Sequence, residues 1–275
     1  MLRAHNLSFS YGRHDVLRKI NFQADEAQII SLIGPNGSGK STLLRCLCGL
    51  MPINEGKVIL FGRSIHKMKA GEKARQIAFF PQFHETMQGE TVYEIIAMGR
   101  SPYKKFGWVT TKTDREKIAW ASEYMQLGHM MNRSVEKLSG GEKQRVWIAM
   151  ILAQDTPIIL LDEPVTYMDL KHQRELLKTI TDLKESFNKT IIAVFHDINH
   201  AIEVSDYIYL LKDGRIYGSG TSEEVITETA IQDVYDVCAH VWNFNKCRRN
   251  VVIPAGFHVD QFCRKGQGKT HTQHI

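Results

Sequence analysis

Nowhere in the 275-residue chain do about 18 apolar residues follow one another without interruption. No segment can therefore cross a bilayer as a helix. The opening MLRAHNLSFSYG also lacks the apolar run of a signal peptide, so a cytosolic protein is expected. Cysteine is scarce and unpatterned: Cys46, Cys48, Cys238, Cys247 and Cys263 form an odd set at irregular spacing. That excludes a disulfide framework and leaves reduced thiols that mostly pack. No charge of one sign dominates, since 35 Lys and Arg stand against 30 Asp and Glu. Part of the +5 excess sits in Lys246, Arg248, Arg249, Arg264, Lys265 and Lys269, which reads as a solvated tail. No internal repeat is visible. With 43% apolar and 24% charged residues, disorder is excluded as well. The length allows one large core, or a core and a small subdomain, with no need of metal or disulfide.

Apolar periodicity organises the chain. Leu2, Leu7, Phe9 and Tyr11, then Val16, Ile20 and Phe22, predict antiparallel strands around Gly12. The run Ile29 to Ile33 predicts a buried strand that ends in GPNGSGKST and a helix from Thr42 to Leu50. Short strands follow at Val58 to Phe61 and Ile77 to Phe80. Helical periods at Thr91 to Met98, Asp114 to Leu127 and Gly141 to Ala153 then predict a mainly helical insertion. From Pro157 alternation resumes: strand PIILLDE, helix Leu170 to Ser186, strand TIIAVF, helix Ile198 to Val204, and strands Tyr207 to Leu211 and Arg215 to Tyr217. Strands buried on both faces and alternating with helices predict a largely parallel sheet. Beyond about Val237 a short β-like stretch and a frayed end are expected.

Three motifs carry chemistry. Gly34, Gly39, Lys40 and Ser41 satisfy G-x-x-x-x-G-K-[ST], between a strand and a helix. A chance match in a chain of this length is on the order of 1%. Backbone N–H groups from Asn36 onward would cradle phosphates, Lys40 would reach the β- and γ-phosphates, and Ser41 could ligate Mg²⁺. Asp162 emerges from a buried apolar strand, where a cation or a helix N-terminus is the low-cost partner, and Mg²⁺ beside the phosphate loop the expected one. Strand alternation points Glu163 elsewhere, where it could activate a water. The third motif is LSGGEKQRV. Ser139 and Glu142 make a capping box, which needs no ligand; a cap does not need Gly140 and Gly141, however, and these leave bare N–H groups open to an anion.

Taken together, these motifs resemble those of the ATP-binding cassette family over about Leu2 to Val237. GPNGSGKST is similar to its Walker A, PIILLDEP to its Walker B with Glu163 as catalytic base, and LSGGEKQRV to its signature. Gln82 resembles the Q-loop glutamine that senses Mg²⁺ and faces the membrane partner, His196 the switch histidine beside the γ-phosphate, and Tyr11 the aromatic that stacks on adenine. Asp169 resembles the D-loop aspartate, with Met168 where leucine is usual. The resemblance implies an α/β P-loop NTPase (RecA-like) core, an antiparallel β subdomain and a helical signature-bearing subdomain. One ATPase domain is expected over 1–237, with the helical part at about 84–155, followed by a C-terminal extension over 238–275. The implied ATP ligands are Tyr11, Gly34, Pro35, Asn36, Gly37, Ser38, Gly39, Lys40, Ser41, Thr42 and Gln82, with Ser139, Gly140 and Gly141 acting in trans. Ser41, Gln82 and Asp162 would hold Mg²⁺, while Glu163 and His196 would be catalytic. Without an internal repeat, the ATP sandwich requires a second copy of the chain.

An exporter would carry its own membrane segment. Cassette proteins of translation carry two cassettes, and those of DNA repair a longer insertion. The separate ATPase of an importer remains, bound to membrane permease subunits at the cytoplasmic face of the inner membrane and indirectly served by a substrate-binding protein. TVYEIIAMGRSPY and MDLKHQ are similar to the subfamily that drives uptake of iron(III) siderophores, haem and cobalamin. An iron(III) complex is the expected cargo, with haem or cobalamin as alternatives. The most different alternative is a soluble ATPase acting on protein or nucleic acid; no nucleic-acid partner is expected. Cys238, His240, Cys247, His258, Cys263, His271 and His274 include metal-ligand types, but without a compact C-x₂-C pair a β-like flap is expected instead.

Overall fold

The computed structural model describes residues 1–82, 89–104, 110–165, 168–244 and 249–255. Alternating apolar residues form the antiparallel strands β1 (Leu2–Tyr11) and β2 (His14–Ala24). Strand β3 (Ile29–Ile33), buried at every residue, feeds α1 (Lys40–Leu47) through the glycine loop. β4 (Glu55–Leu60), β5 (Arg63–Ser64), α2 (Ala70–Ala74) and β6 (Ile77–Phe80) follow. β4 stops one residue short of the predicted end because Phe61 turns with φ 46°.

Next come α3 (Val92–Met98), α4 (Lys112–Tyr124) and α5 (Gly140–Gln154). Each begins at a capping box, in which Thr91, Thr111 and Ser139 accept from the N–H of Glu94, Asp114 and Glu142. The box at Thr111 starts α4 two residues before the Asp114 that apolar periodicity suggested. Strands and helices then alternate through β7 (Ile158–Asp162), α6 (Leu170–Phe187), β8 (Thr190–Val194), α7 (Ile198–Val204), β9 (Tyr207–Lys212) and β10 (Arg215–Gly220). The short helices α8 (Ser222–Val225) and α9 (Glu228–Tyr235) were not legible from periodicity. The β-like stretch beyond them is an antiparallel hairpin of β11 (Ala239–Phe244) and β12 (Arg249–Pro254). Cys247, His258, Cys263, His271 and His274 lie outside the described residues. Among the described residues, no three His, Cys, Asp or Glu side chains are grouped to hold a metal ion.

Two main sheets result. One is antiparallel in the order β2-β1-β4-β5; the other runs β10-β9-β3-β8-β7-β6. In the second, only β10 is antiparallel to its neighbour. Strands β3, β7 and β8 are buried on both faces, and the period of two divides their side chains between two apolar layers. Ile30, Leu32, Leu160 and Ile192 join α1 and the antiparallel sheet in one layer. Ile29, Ile33, Ile159 and Ile191 join residues of α3, α5, α6 and α7 in the other. Cys46 and Cys48 pack in the first layer as expected, and burial pushes their thiols up to about 12 and about 11. Because β3, β8, β7 and β6 are adjacent and parallel, their carboxyl ends share one edge of the sheet. That edge gathers the glycine loop, His196, Asp162 with Glu163, and Gln82.

Candidate functional site

The glycine loop is shaped by steric demands that only glycine meets. A Cβ on Gly34 would lie 2.2 Å from the carbonyl oxygen of Leu211. Gly39, at φ 98°, is the N-cap of α1 in the left-handed region. It supplies no side-chain cap, and the first turn of α1 carries no acidic residue. The leading N–H groups of α1 are thus left to an anion, with the helix dipole behind them.

Lys40 is buried, and its Nζ donates to the carbonyls of Gly34 at 2.8 Å and Pro35 at 2.9 Å. Burial pulls its pKa below the ordinary lysine value, opposed by the nearby Glu163 and Asp162. The loop opens onto a cleft of about 490 Å³ lined by Asn36, Gly37, Gly39, Lys40, Ser41, Thr42 and Glu163.

Asp162 is fully buried at the end of β7. Its Oδ1 accepts the Ser41 hydroxyl at 2.7 Å, whereas Oδ2 has no hydrogen-bond partner and lies 3.8 Å from Arg45 Nη2. Burial pushes its carboxyl above the usual range, against the Ser41 hydrogen bond and the Arg45 charge. A hydroxyl beside a buried carboxylate with an unused lone pair is the all-oxygen donor set that a hard divalent cation takes.

Glu163 leaves the strand in the left-handed region at φ 51°. This turn, rather than strand alternation, separates its direction from that of Asp162. Gln82 Nε2 donates to Glu163 Oε2 at 2.7 Å, so Gln82 meets the glutamate and not the Asp162 carboxylate.

Other predicted residues stand apart from this cleft. His196 follows β8 at the same sheet edge and is exposed. Tyr11 is 52% exposed and does not line the cleft. Its ring meets Phe9 in a T-shaped contact and its hydroxyl donates to Met51 Sδ at 3.4 Å. Ser139, Gly140 and Gly141 do not line the cleft either. Ser139 N–H and Oγ each donate to Glu142 Oε2 at 2.8 Å, completing the box and holding that carboxyl below its usual range. A Cβ on Gly140 would meet nothing within 4 Å, whereas one on Gly141 would touch the His172 ring.

The sequence reading missed the far wall of the cleft: His14, Asp15, Val16, Arg18, Asp213 and Gly214. These come from the start of β2 and the β9–β10 turn, joined where Arg18 N–H donates to Gly214 C=O at 2.8 Å. In the sequence, Asp213 and Gly214 read only as a turn between two strands, with no hint of what it faces.

The family model described as "ABC transporter" matches residues 17–166. The petrobactin import ATP-binding protein of Bacillus anthracis is 40% identical over 237 residues, covering 86% of this chain and 87% of that protein. The iron(3+)-hydroxamate import ATP-binding protein of Bacillus subtilis is 40% identical over 241 residues, covering 87% and 89%. Among solved structures, an inward-facing metal-chelate type ABC transporter superposes with a TM-score of 0.82 at 26% identity, over 94% of this chain and 98% of that one. A dimeric ATP-binding cassette in a post-hydrolysis state, bound to ADP and Pi, gives 0.70 at 28% identity, over 80% and 98%.

Proposed function

This chain belongs to the ABC transporter family and is its ATP-hydrolysing component, and on that premise we propose that it powers import of an iron(III) complex of siderophore type. Its relatives are named for petrobactin and iron(3+)-hydroxamate import, which supports this cargo over haem, cobalamin or a soluble role. No helix among the described residues is long and apolar enough to cross a membrane. The passage is therefore assigned to separate permease subunits, with this chain docked at their cytoplasmic face and a substrate-binding protein delivering the cargo. Residues 1–237 act as one ATPase domain, with a helical subdomain at about 84–155, and 238–275 as an extension.

In this reading the α1 N-terminus and the loop from Gly34 to Thr42 hold the ATP phosphates, and Tyr11 stacks on the base. Ser41, Asp162 and Gln82 would hold Mg²⁺, which would neutralise phosphate charge. Lys40 exchanges its loop carbonyls for phosphate oxygens. Glu163 orients and deprotonates the attacking water, and His196 hydrogen-bonds the γ-phosphate.

Gly140 is the observation that carries the composite site. It sits at the first position of α5, a place where glycine is costlier than alanine, and among the described residues a Cβ there would meet nothing within 4 Å. A vacancy without an internal cause suits a surface that another molecule must approach closely. Ser139, Gly140 and Gly141 of one copy then complete the phosphate site of a second.

The cargo is tested by reconstituting the chain with its permease in vesicles and following uptake of radiolabelled iron. ATP-dependent entry of a ferric siderophore is expected, lost with Glu163→Gln. Entry of haem or cobalamin, with the ferric siderophore excluded, contradicts the assignment.

A further inference from the structure

The start of α5 is held from inside its own chain by a side chain that follows the β7–α6 connection. The His172 imidazole lies against Gly141, with Cδ2 and Nε2 3.1 Å and Cε1 3.3 Å from where a Cβ would stand. Its opposite edge is fixed: Nδ1 is 2.8 Å from Asp169 Oδ1, and that same oxygen accepts the His172 N–H at 2.9 Å. Asp169 is the N-cap of α6, so the ring is locked to the cap of its own helix. A second tie lies one turn along α5, where Gln144 Nε2 donates to the carbonyl of Pro164 at 2.7 Å. Pro164 directly follows Glu163. The two contacts thus attach the first turns of α5 to both ends of the connection from β7 to α6.

We propose that His172 is a positioning residue for ATP turnover: clamped by Asp169, it sets the placement of the Gly140–Gly141 N–H groups toward the partner's nucleotide and ties them to the segment behind Glu163 of its own subunit. The inference rests on the composite dimer proposed above. It gives the adjacent glycines separate reasons. Gly140 leaves room for what arrives from outside, while Gly141 leaves room for the His172 ring.

The ring is only 32% exposed, and one oxygen fixes both its main chain and its side chain. A displacement of α6 or of the β7–α6 connection therefore carries the imidazole with it and moves the helix start. N–H donors act on a developing charge only within a few tenths of an ångström of the right distance, so a small displacement suffices. The state of one ATP site is thereby passed to the surface that serves the other.

The test uses the full chain with Glu163→Gln, ATP and Mg²⁺. It follows binding of a fluorescent ATP analogue to dilute monomer, the ATP-driven dimer by sedimentation, and the thermal midpoint. Adding His172→Ala is expected to leave nucleotide binding by the monomer as in the parent and to lower the midpoint by no more than about 2–4 °C, the cost of one intrachain hydrogen bond, while weakening the dimer about tenfold. In the chain with Glu163 intact, His172→Ala is expected to lower kcat with little change in KM. A dimer of parental strength overturns the proposal, and so does a parallel fall in binding, midpoint and dimer, which marks a purely structural residue. If the parent itself stays monomeric with ATP, the composite dimer fails, and the role of His172 fails with it.

Discussion

Asp162 and Gly140 both hold an unmet demand, of opposite kinds. Asp162 has an oxygen without a hydrogen bond in a fully buried carboxylate, 3.8 Å from Arg45 Nη2; a Cβ on Gly140 would meet no atom of the described residues within 4 Å. The first calls for a closer cation, since one hydrogen bond and an ion pair at 3.8 Å only partly offset the cost of taking a carboxylate out of water. The second costs up to about 1 kcal/mol of helix stability relative to alanine. Gly140→Ala should therefore keep or raise the unfolding midpoint and leave nucleotide binding by the isolated chain intact. Turnover should fall at least about tenfold, because a methyl group stands between the N–H donors and the phosphate they would stabilise. Calorimetry alongside an ATPase assay separates these effects, and normal turnover in Gly140→Ala would contradict a phosphate contact there. The phosphate loop was legible because the chemistry needs specific residues at adjacent positions. Arg18 and Asp213 on the opposite wall were not, because any turn and any strand start could have formed it.

Among the elements, the Gly-Arg-x-Pro stretch after α3 turns out to be structural. Gly99 brings α3 against α5 so closely that a Cβ would lie 2.1 Å from Met150 O. Arg100, 4% exposed, donates to Asp114 Oδ1 at 2.8 Å and to the carbonyl of Ala153 at 2.8 Å, with its guanidinium 3.9 Å from the Tyr103 ring centroid. One side chain thus pairs with the first turn of α4 and satisfies the C-terminal end of α5. Arg100→Ala should destabilise by about 3 kcal/mol, leaving Asp114 buried and unpaired.

Burial pushes the Asp114 carboxyl up, but Arg100 and Thr111 outweigh it and hold it below the usual range. A carboxyl lowered in the folded state stabilises above its unfolded pKa of about 3.9. That contribution fades as pH falls through the lowered folded value. Below about pH 4 the stability gap between the parent and Asp114→Asn should therefore narrow, as denaturant melts across pH can measure. A gap that widens on acidification contradicts the pairing.

Helix and strand identity followed the apolar period wherever burial was one-sided or complete. Boundaries followed caps, and the capping box at Thr111 was decisive where periodicity was silent. Helix α8, of 4 residues, is too short for a period to establish itself.

At the scale of the whole molecule, parallel order brings the carboxyl ends of four strands to one edge, where the phosphate loop, the paired carboxylates and Gln82 meet. The signature begins α5 and lines no part of that cleft. On the proposed reading the cleft and the start of α5 are two halves of an ATP site that a second copy joins. In the sequence, the expectation of a second copy rests only on a family resemblance and the lack of an internal repeat. No periodicity or propensity specifies a surface that is completed by another chain. Sedimentation of Glu163→Gln with ATP and Mg²⁺ tests the composite site most directly. The variant is expected to shift from monomer to dimer as ATP rises through its binding range, with hydrolysis abolished and the dimer lost when Ser139→Arg is added. A chain that stays monomeric at saturating ATP, or dimerises equally well with Ser139→Arg, would contradict it.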